Sequence, residues 1–371
     1  MNVKVEERVA NYQAASTMKA IGLTRLPEIG RVAENLQMIT VPVARPKPDE
    51  VAIQVCASSL HIDEIYAAQG TALGRFYGPK NVSLEKPHLM GSSVSGIIVG
   101  LGGKTEKFSL GDSVIVIPDQ KMEIGSWASY RCVRENMVMT KPKGYSHVEA
   151  AAITMAACVA WGAIGFSKTQ PGDRCLVVGA SGSIGIMLVQ YLKTMGCTVT
   201  AVCSGKNEAF VKNKGADTAI DYSQQNFADH ALSTGILYDR IFDCVGGRHI
   251  ERDSFRVLKR TGVYETVVGP VQYIGEHKLS WFEFSKVMRY ILRRLFVTLF
   301  HGPRYMFGEK FPRLVIKDAL NRAEKYHLRM PLEKTVPFEI EAVAEAVKLL
   351  MTHRAKGRIV INFDIPFTVD E

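Results

Sequence analysis

A chain of 371 residues, 47% of them hydrophobic, is long enough for two domains and can bury a substantial core. Its formal charge is +9, yet the window 286–313 alone sets Lys286, Arg289, Arg293, Arg294, Arg304, Lys310 and Arg313 against Glu309, so the basicity is local. With no aromatic-basic strand motif and no reader module, the charge does not indicate a nucleic-acid-binding protein.

Seven cysteines, an odd number with no C-x-x-C pair, point to reduced thiols in a reducing compartment rather than a disulfide framework. Residues 1–17 read as an N-terminal extension with Glu6 and Glu7 and no apolar run, unlike a secretory signal or an Arg-rich transit peptide. No stretch reaches the roughly 18 uninterrupted apolar residues of a spanning helix. The expected location is cytoplasmic.

From residue 18 to 140 the chain reads as short strands punctuated by Gly and Pro: MKAIGLT, EVAIQVCA, SGIIVGLG, DSVIVIP and WASYRCV. This predicts a mainly antiparallel β domain. After Val148 an Ala-rich helical run, HVEAAAITMAACVAWGAI, opens an alternation of strands and helices. CLVVGA, a helix over 183–195, CTVTAVCS, a helix over 208–214, TAIDY, YDRIFDCVG, a helix over 250–258 and GVYETVVG follow in order. Such alternation implies parallel βαβ units and a doubly wound sheet. Residues 281–300 predict a long aromatic-rich helix, EIEAVAEAVKLLMTH another helix, and GRIVINF a strand that returns to the first domain. The expected boundaries are 18–140 completed by 335–371 for the β domain, and 141–334 for the α/β domain.

The strongest motif is Gly179-Ala-Ser181-Gly182-Ser183-Ile184-Gly185, placed after the strand Leu176–Val178 and before a helix. Helix starts leave backbone N–H groups unpaired and carry partial positive charge. Glycines there let the backbone approach a pyrophosphate. The next strand ends in Ser204-Gly205-Lys206-Asn207, with no acid before Glu208. A dinucleotide site for NAD places an acid there for the ribose 2′-hydroxyl; Ser204 and Lys206 suit the 2′-phosphate of NADPH instead.

These segments, with EKFSLGDSVIVIP, EAAAITMAACVAWGA, KGADTAIDY, DRIFDCVGG and KGRIVI, come in the order of landmarks of the medium-chain dehydrogenase/reductase family. From about Met18 to Phe363 the chain resembles the zinc-free, quinone oxidoreductase-like branch of that family. The resemblance implies a GroES-like, mainly β catalytic domain beside a Rossmann domain, an α/β protein with its active site in the cleft between them. It implies that Ser204, Lys206 and Tyr222 surround the 2′-phosphate, and Val268 is assigned to the same cofactor site.

Zinc-dependent relatives place Cys-His at the positions of Leu60-His61 and Gly-His-Glu at those of Gly91-Ser92-Ser93. Leu60 has no lone pair, Ser92 and Ser93 are poor zinc ligands, and no cysteine follows Pro118 where the relatives carry a structural zinc lobe. No metal is expected. Hydride transfer then calls for an acceptor that is already electrophilic, such as a quinone or an α,β-unsaturated carbonyl. The segment Leu60–Tyr66 matches the family segment beside the nicotinamide, so Tyr66, Asp63 and His61 are the candidate catalytic residues. Tyr66 would be a proton donor, Asp63 an orienting group, and His61 either catalytic or a packed histidine. Tyr66 stands one position later than the usual tyrosine, and Val159 replaces a threonine that relatives often carry near the nicotinamide. The stretch TALGRFYGPKNVSLEKP over 71–87 lengthens a loop in this region.

Two further readings stay open: an enoyl-thioester reductase, and a NADPH-binding scaffold or sensor without significant turnover. The expected partner is a small electrophilic substrate, with a homodimer as the expected assembly. The helix over 281–300 is expected to pack on the fold or on a second copy; peripheral membrane contact is the competing reading.

Overall fold

The computed structural model describes residues 3–71, 74–117, 125–272, 274–276, 278, 280–308 and 312–363. The stretch directly after Pro118, and two residues of the 71–87 loop, lie outside that range. The chain divides into one unit of residues 1–155, 275–278 and 332–371 and a second of 156–274 and 279–331.

The first unit is built on the strand Glu50–Ser59, whose residues are nearly all buried because neighbours cover both of its faces. Its sheet runs Leu332–Pro337, Arg358–Asn362, Glu50–Ser59, Val94–Leu101, Ser113–Val116, Val138–Thr140, and Tyr130–Arg134 pairs with Glu50–Ser59 as well. All these pairings are antiparallel except that of Leu332–Pro337 with Arg358–Asn362. Arg358–Asn362 does return to the first unit, with Val360 opposite Ser59. A second sheet joins Gln37–Pro42, Thr17–Leu23 and His88–Leu89.

The described part of the extension expected over 1–17 packs on the first unit. Val3–Ala14 is a helix whose Val9 and Tyr12 are buried against Ala52, Val99 and Ala128, and Arg45 donates to the Tyr12 carbonyl at 2.6 Å. Their apolar positions fall at i and i+3, a spacing too short in one stretch to stand out in the sequence.

The second unit is one parallel sheet in the order Thr218–Asp221, Thr198–Cys203, Arg174–Val178, Tyr238–Asp243, Leu258–Thr266, Arg304–Phe307. Numbered along the chain this is 3-2-1-4-5-6, the doubly wound dinucleotide-binding order. The strand order reverses between Arg174–Val178 and Tyr238–Asp243, where such folds open a crevice at the carboxyl ends. Leu176, Val178, Val202, Ile220, Ile241 and Tyr264 form its core; truncating a residue such as Leu176 to alanine costs about 2–5 kcal/mol.

The expected boundary at 140/141 moves to 155/156, inside the helix His147–Phe166. Among the described residues this is the one helix long and apolar enough to cross a membrane, and 72% of its most apolar stretch is buried inside the protein. The expected boundary at 334/335 moves to 331/332, because the strand Leu332–Pro337 pairs with Arg358–Asn362 of the first unit. A short turn at 275–278 also belongs to the first unit, an excursion that the strand–helix alternation gave no means of finding.

Candidate functional site

The glycine motif turns sharply out of Arg174–Val178. Gly179 has φ +78°, and its N–H and that of Ala180 both donate to the Val202 carbonyl at 3.1 Å. Gly182 then caps the helix Ser183–Thr194 with no side chain over its N-terminus. The first N–H groups of that helix have no intrahelical acceptor. Gly185 is demanded by packing: a Cβ there would lie 2.3 Å from the Gly179 carbonyl oxygen and 2.8 Å from the Ala180 Cα. The helix thus rests directly on the turn. Ser181, Gly182, Ser183 and Ile184 are half-buried and Gly185 is buried, so the cradle is formed but open on one side.

Beside it, the end of Thr198–Cys203 leads into the turn Gly205–Asn207. Lys206 is exposed, Ser204 half-buried, and Tyr222 65% exposed at the end of the neighbouring strand. The buried Asn207 links this turn to the motif by donating to Ser181 Oγ at 3.0 Å, while its own Oδ1 accepts no hydrogen bond. An acceptor left unpaired at this depth costs energy and suits a donor brought by a ligand.

One acid that the sequence reading passed over enters from the adjacent strand. Asp221 lies opposite Cys203, and a Cβ on Gly205 would sit 2.5 Å from its carboxylate. The Ser223 N–H, its hydroxyl and the Gly205 N–H hold this carboxyl below its ordinary pKa. The absence of an acid at the end of Thr198–Cys203 therefore does not make the neighbourhood free of negative charge.

Across the sheet's reversal, Asp243 ends Tyr238–Asp243 fully buried. It accepts from Val245 N–H and Gly246 N–H at 2.9 Å each, and from the Tyr264 hydroxyl at 2.5 Å. Burial raises its pKa, against the pull of these donors. This pins the turn through Gly246 and Gly247, both at positive φ. Val268 is half-buried, and its Cγ1 lies 2.8 Å from where a Gly246 Cβ would be, which puts it on that same turn.

In the first unit, His61-Ile-Asp-Glu64 opens the helix Ile62–Ala68. His61 is buried. Its N–H donates to Glu64 Oε1 at 2.7 Å in a capping box, and its Nε2 lies 2.9 Å from Ser59 Oγ. Burial, aided by the nearby Arg358 charge, pushes its pKa well below the usual histidine value. The geometry gives His61 structural contacts on both its backbone and its ring.

Asp63 is exposed as a residue, yet desolvation by the groups packed around its carboxyl raises its pKa, with the Arg358 charge opposing. Glu64 is buried, and its pKa rises to about 8 through burial, opposed by the His61 N–H and the Arg358 charge. Its Oε2 takes no hydrogen bond. Arg358, buried in the last strand, donates to the Leu60 carbonyl at 3.3 Å, and burial lowers its pKa to about 10. Asp63, Glu64 and Arg358 are thus one buried or crowded charge cluster.

Tyr66 lies on the same helix. Its hydroxyl is 3.4 Å from His353 Nε2, which is 3.1 Å from Glu276 Oε1. The backbone of Gly275 presses on its ring, where a Cβ would fall 2.1 Å from Cε2, and Gln69 Nε2 holds the Gly275 carbonyl at 3.0 Å. A Tyr–His–Glu chain therefore backs the hydroxyl that the sequence singled out, while Asp63 and Tyr66 share a helix with no hydrogen bond between them among the described residues.

The positions compared with zinc ligands are otherwise occupied. Leu60 is buried with Ile65, Met90 and Ile359. Ser93 Oγ accepts from the Ser59 N–H at 2.8 Å and donates to the Ser59 carbonyl at 3.1 Å. Among the described residues no group of three His, Cys, Asp or Glu is arranged to hold a metal. Glu64, Asp221, Asn207, His353, Glu276 and Arg358 were missed in the sequence. Only Glu64 left a local trace, standing at the third helical position after His61, where a capping box puts an acid.

Family models agree with this architecture. One described as Alcohol dehydrogenase GroES-like domain matches residues 47–143, and one described as Zinc-binding dehydrogenase matches 214–361. The chain belongs to the medium-chain dehydrogenase/reductase family, on its quinone oxidoreductase-like branch. It is 33% identical over 338 residues to the NAD(P)H oxidoreductase RTN4IP1, mitochondrial, of Bos taurus, covering 85% of this chain and 82% of that one. The Mus musculus protein of the same name is 34% identical over 257 residues, 66% of this chain but 63% of its own length, so the chain spans less than two thirds of that relative. A 2-methylene-furan-3-one reductase of Solanum lycopersicum is 27% identical over 87% of this chain and 74% of its own. The quinone oxidoreductase structure from Coxiella burnetii superposes with TM-score 0.74 at 22% identity, covering 94% of this chain and 99% of that one, a likeness of fold. Both of these mammalian relatives are named as NAD(P)H oxidoreductases.

Proposed function

We propose that this chain is a zinc-independent, NADPH-dependent reductase of quinones or α,β-unsaturated carbonyls. The observation that carries the acceptor class is the occupation of the compared metal positions by buried Leu60 and by Ser93, whose hydroxyl is spent on Ser59. With no donor set there to hold a Lewis acid, the acceptor itself must delocalise the charge that hydride transfer leaves on it. The relatives' names, which speak of NAD(P)H oxidoreductases and an enone-type reductase, support the same class.

The Gly182–Gly185 N–H groups would hold the pyrophosphate, and Ser204, Lys206 and Tyr222 the 2′-phosphate, with Asp221 as a counter-charge that tempers the preference. A nicotinamide bound there supplies the hydride. The Tyr66 hydroxyl supplies the proton that completes the two-electron reduction, and His353 with Glu276 behind it can restore that proton from solvent. All seven cysteines are free thiols, which supports a reducing compartment such as the cytoplasm.

The test is NADPH oxidation by purified full-length chain with ortho- and para-quinones, conjugated enones and enoyl thioesters, beside secondary alcohols with NADP⁺. Turnover with quinones or enones is expected. Brisk alcohol oxidation with inert quinones and enones would reject the reading. Activity confined to enoyl thioesters would select the carrier-type reductase, and binding without any turnover would leave a sensor.

A further inference from the structure

The helix Trp281–Phe300 is turned inside out relative to an ordinary surface helix. Its inward face carries the polar contacts: Arg294 Nε lies 2.6 Å from Glu251 Oε1, and the Tyr290 hydroxyl lies 3.0 Å from both Glu251 oxygens. The Arg294 guanidinium also stacks over Phe255 at 4.3 Å. Only Ile291 and Thr298 are buried outright, with Val287 and Leu295 packed partly against the second unit's core.

The outward face is apolar. Trp281, Phe282, Leu292, Phe296, Leu299 and Phe300 are each 60–70% exposed. Trp281, Met288, Leu292, Phe296 and Leu299 follow one another at helical steps of seven, four, four and three, which places them in one stripe. Lys286, Arg289 and Arg293 are exposed along the flank of that stripe, and among the described residues Arg289 and Arg293 form no ion pair. The one acid of the helix, Glu283, is spent on the capping box with Ser280. A soluble surface rarely shows so many bulky apolar groups side by side unless something covers them.

We propose that this face lies on a lipid surface carrying anionic headgroups. An apolar stripe edged by basic residues, with a tryptophan at one end, suits the boundary between headgroups and acyl chains: the stripe enters the apolar layer and the cations stay among the phosphates. Charge separates this occupant from a second copy of the chain. An antiparallel twofold contact through the stripe would bring two Lys286–Arg289–Arg293 edges together, whereas an anionic surface complements them. The inference concerns where the protein sits and is independent of which acceptor it reduces.

Flotation of the full-length chain with vesicles tests it. Binding is expected to vesicles of phosphatidylcholine with about 30 mol % phosphatidylserine, and to be at least about tenfold weaker with phosphatidylcholine alone or in about 0.5 M salt. Trp281 fluorescence should shift to the blue on binding, and Trp281→Phe should abolish that shift. Arg289→Glu/Arg293→Glu and Leu292→Glu/Phe296→Glu should each weaken binding at least about tenfold. Because these side chains are exposed, melting temperature and NADPH affinity should not change. Equal binding to neutral and anionic vesicles, no binding to either, or full binding by the charge-reversed variant would overturn the proposal. So would analytical ultracentrifugation showing a dimer that Leu292→Glu/Phe296→Glu dissociates, which would make the face a contact between copies.

Discussion

The two units treat polar groups in opposite ways. In the second, the donors around Gly182–Gly185, Ser204 and Lys206 are left facing outward from a rigid turn. In the first, His61, Glu64, Ser93 and Arg358 are folded inward: His61 Nε2 meets Ser59 Oγ, Ser93 and Arg358 bond backbone, and Glu64 accepts the His61 N–H through Oε1 while its Oε2 accepts nothing. The contrast separates binding from scaffolding. Groups poised for a ligand stay open, whereas groups sealed inside are forced from their ordinary ionisation, as Glu64 is toward about 8 and Arg358 toward about 10.

The sharpest way to break this contrast is to close the open turn. Gly185→Ala should remove about 2–3 kcal/mol of stability or of cofactor binding, because the new Cβ meets backbone at Gly179 and Ala180 that cannot yield. Fluorescence titration should find NADPH affinity lower by about 100-fold; unchanged affinity and melting temperature would mean that the turn is looser than described. Tyr66→Phe comes next. Turnover with a quinone or enone should fall by about 10²-fold while NADPH affinity holds, since only the hydroxyl facing His353 is lost. Full activity would leave Tyr66 as packing for Gly275.

Glu64 tests the sealed side. Its folded pKa of about 8 lies above the unfolded value of 4.5, so between those values the folded chain holds a proton that the unfolded chain has released. Stability from this group is complete below the unfolded value and is lost as pH rises through about 8. Glu64→Gln keeps the acceptor for the His61 N–H and cannot ionise. It should flatten the slope of unfolding free energy against pH in that window and gain about 1–3 kcal/mol over the parent above pH 8. A parent whose stability is level from pH 5 to about 9 by denaturant titration would contradict the burial argument. The smallest effect belongs to Lys206→Ala, which should weaken NADPH about tenfold, about 1.4 kcal/mol, and leave NADH unchanged. Asp221→Asn should move NADPH the other way by a few-fold, because it removes the opposing charge.

What could be read beforehand follows the same division. The glycine turn, the strand before it and the helix after it are local in sequence, so residues 176–195 were legible as a strand, a turn and a helix. The long helix at 281–300 was equally legible, since its period runs unbroken, but the direction of its faces was not, because Glu251 reaches Arg294 from elsewhere in the chain. The charge cluster needed Arg358 brought beside Asp63 and Glu64 by the pairing of Arg358–Asn362 with Glu50–Ser59. Asp221 was overlooked for a related reason: it is 15 residues from Lys206 along the chain and becomes a neighbour only when the two parallel strands align.

The four residues Gly275–Lys278 have a consequence for anyone dissecting this protein. They lie between two stretches of the second unit, yet Gly275 meets Tyr66 and Gln69 of the first. Excising the nucleotide-binding portion as a continuous fragment would therefore take with it the floor beneath the tyrosine and the carboxylate facing His353. A protease that nicked this turn would cut the same support while leaving both hydrophobic cores whole. Split-protein reporters and domain grafts built on this scaffold should keep residues 274–279 with the β-rich half, supplied as a peptide if need be, and complementation by that peptide would be a direct assay of the turn's hold on the site.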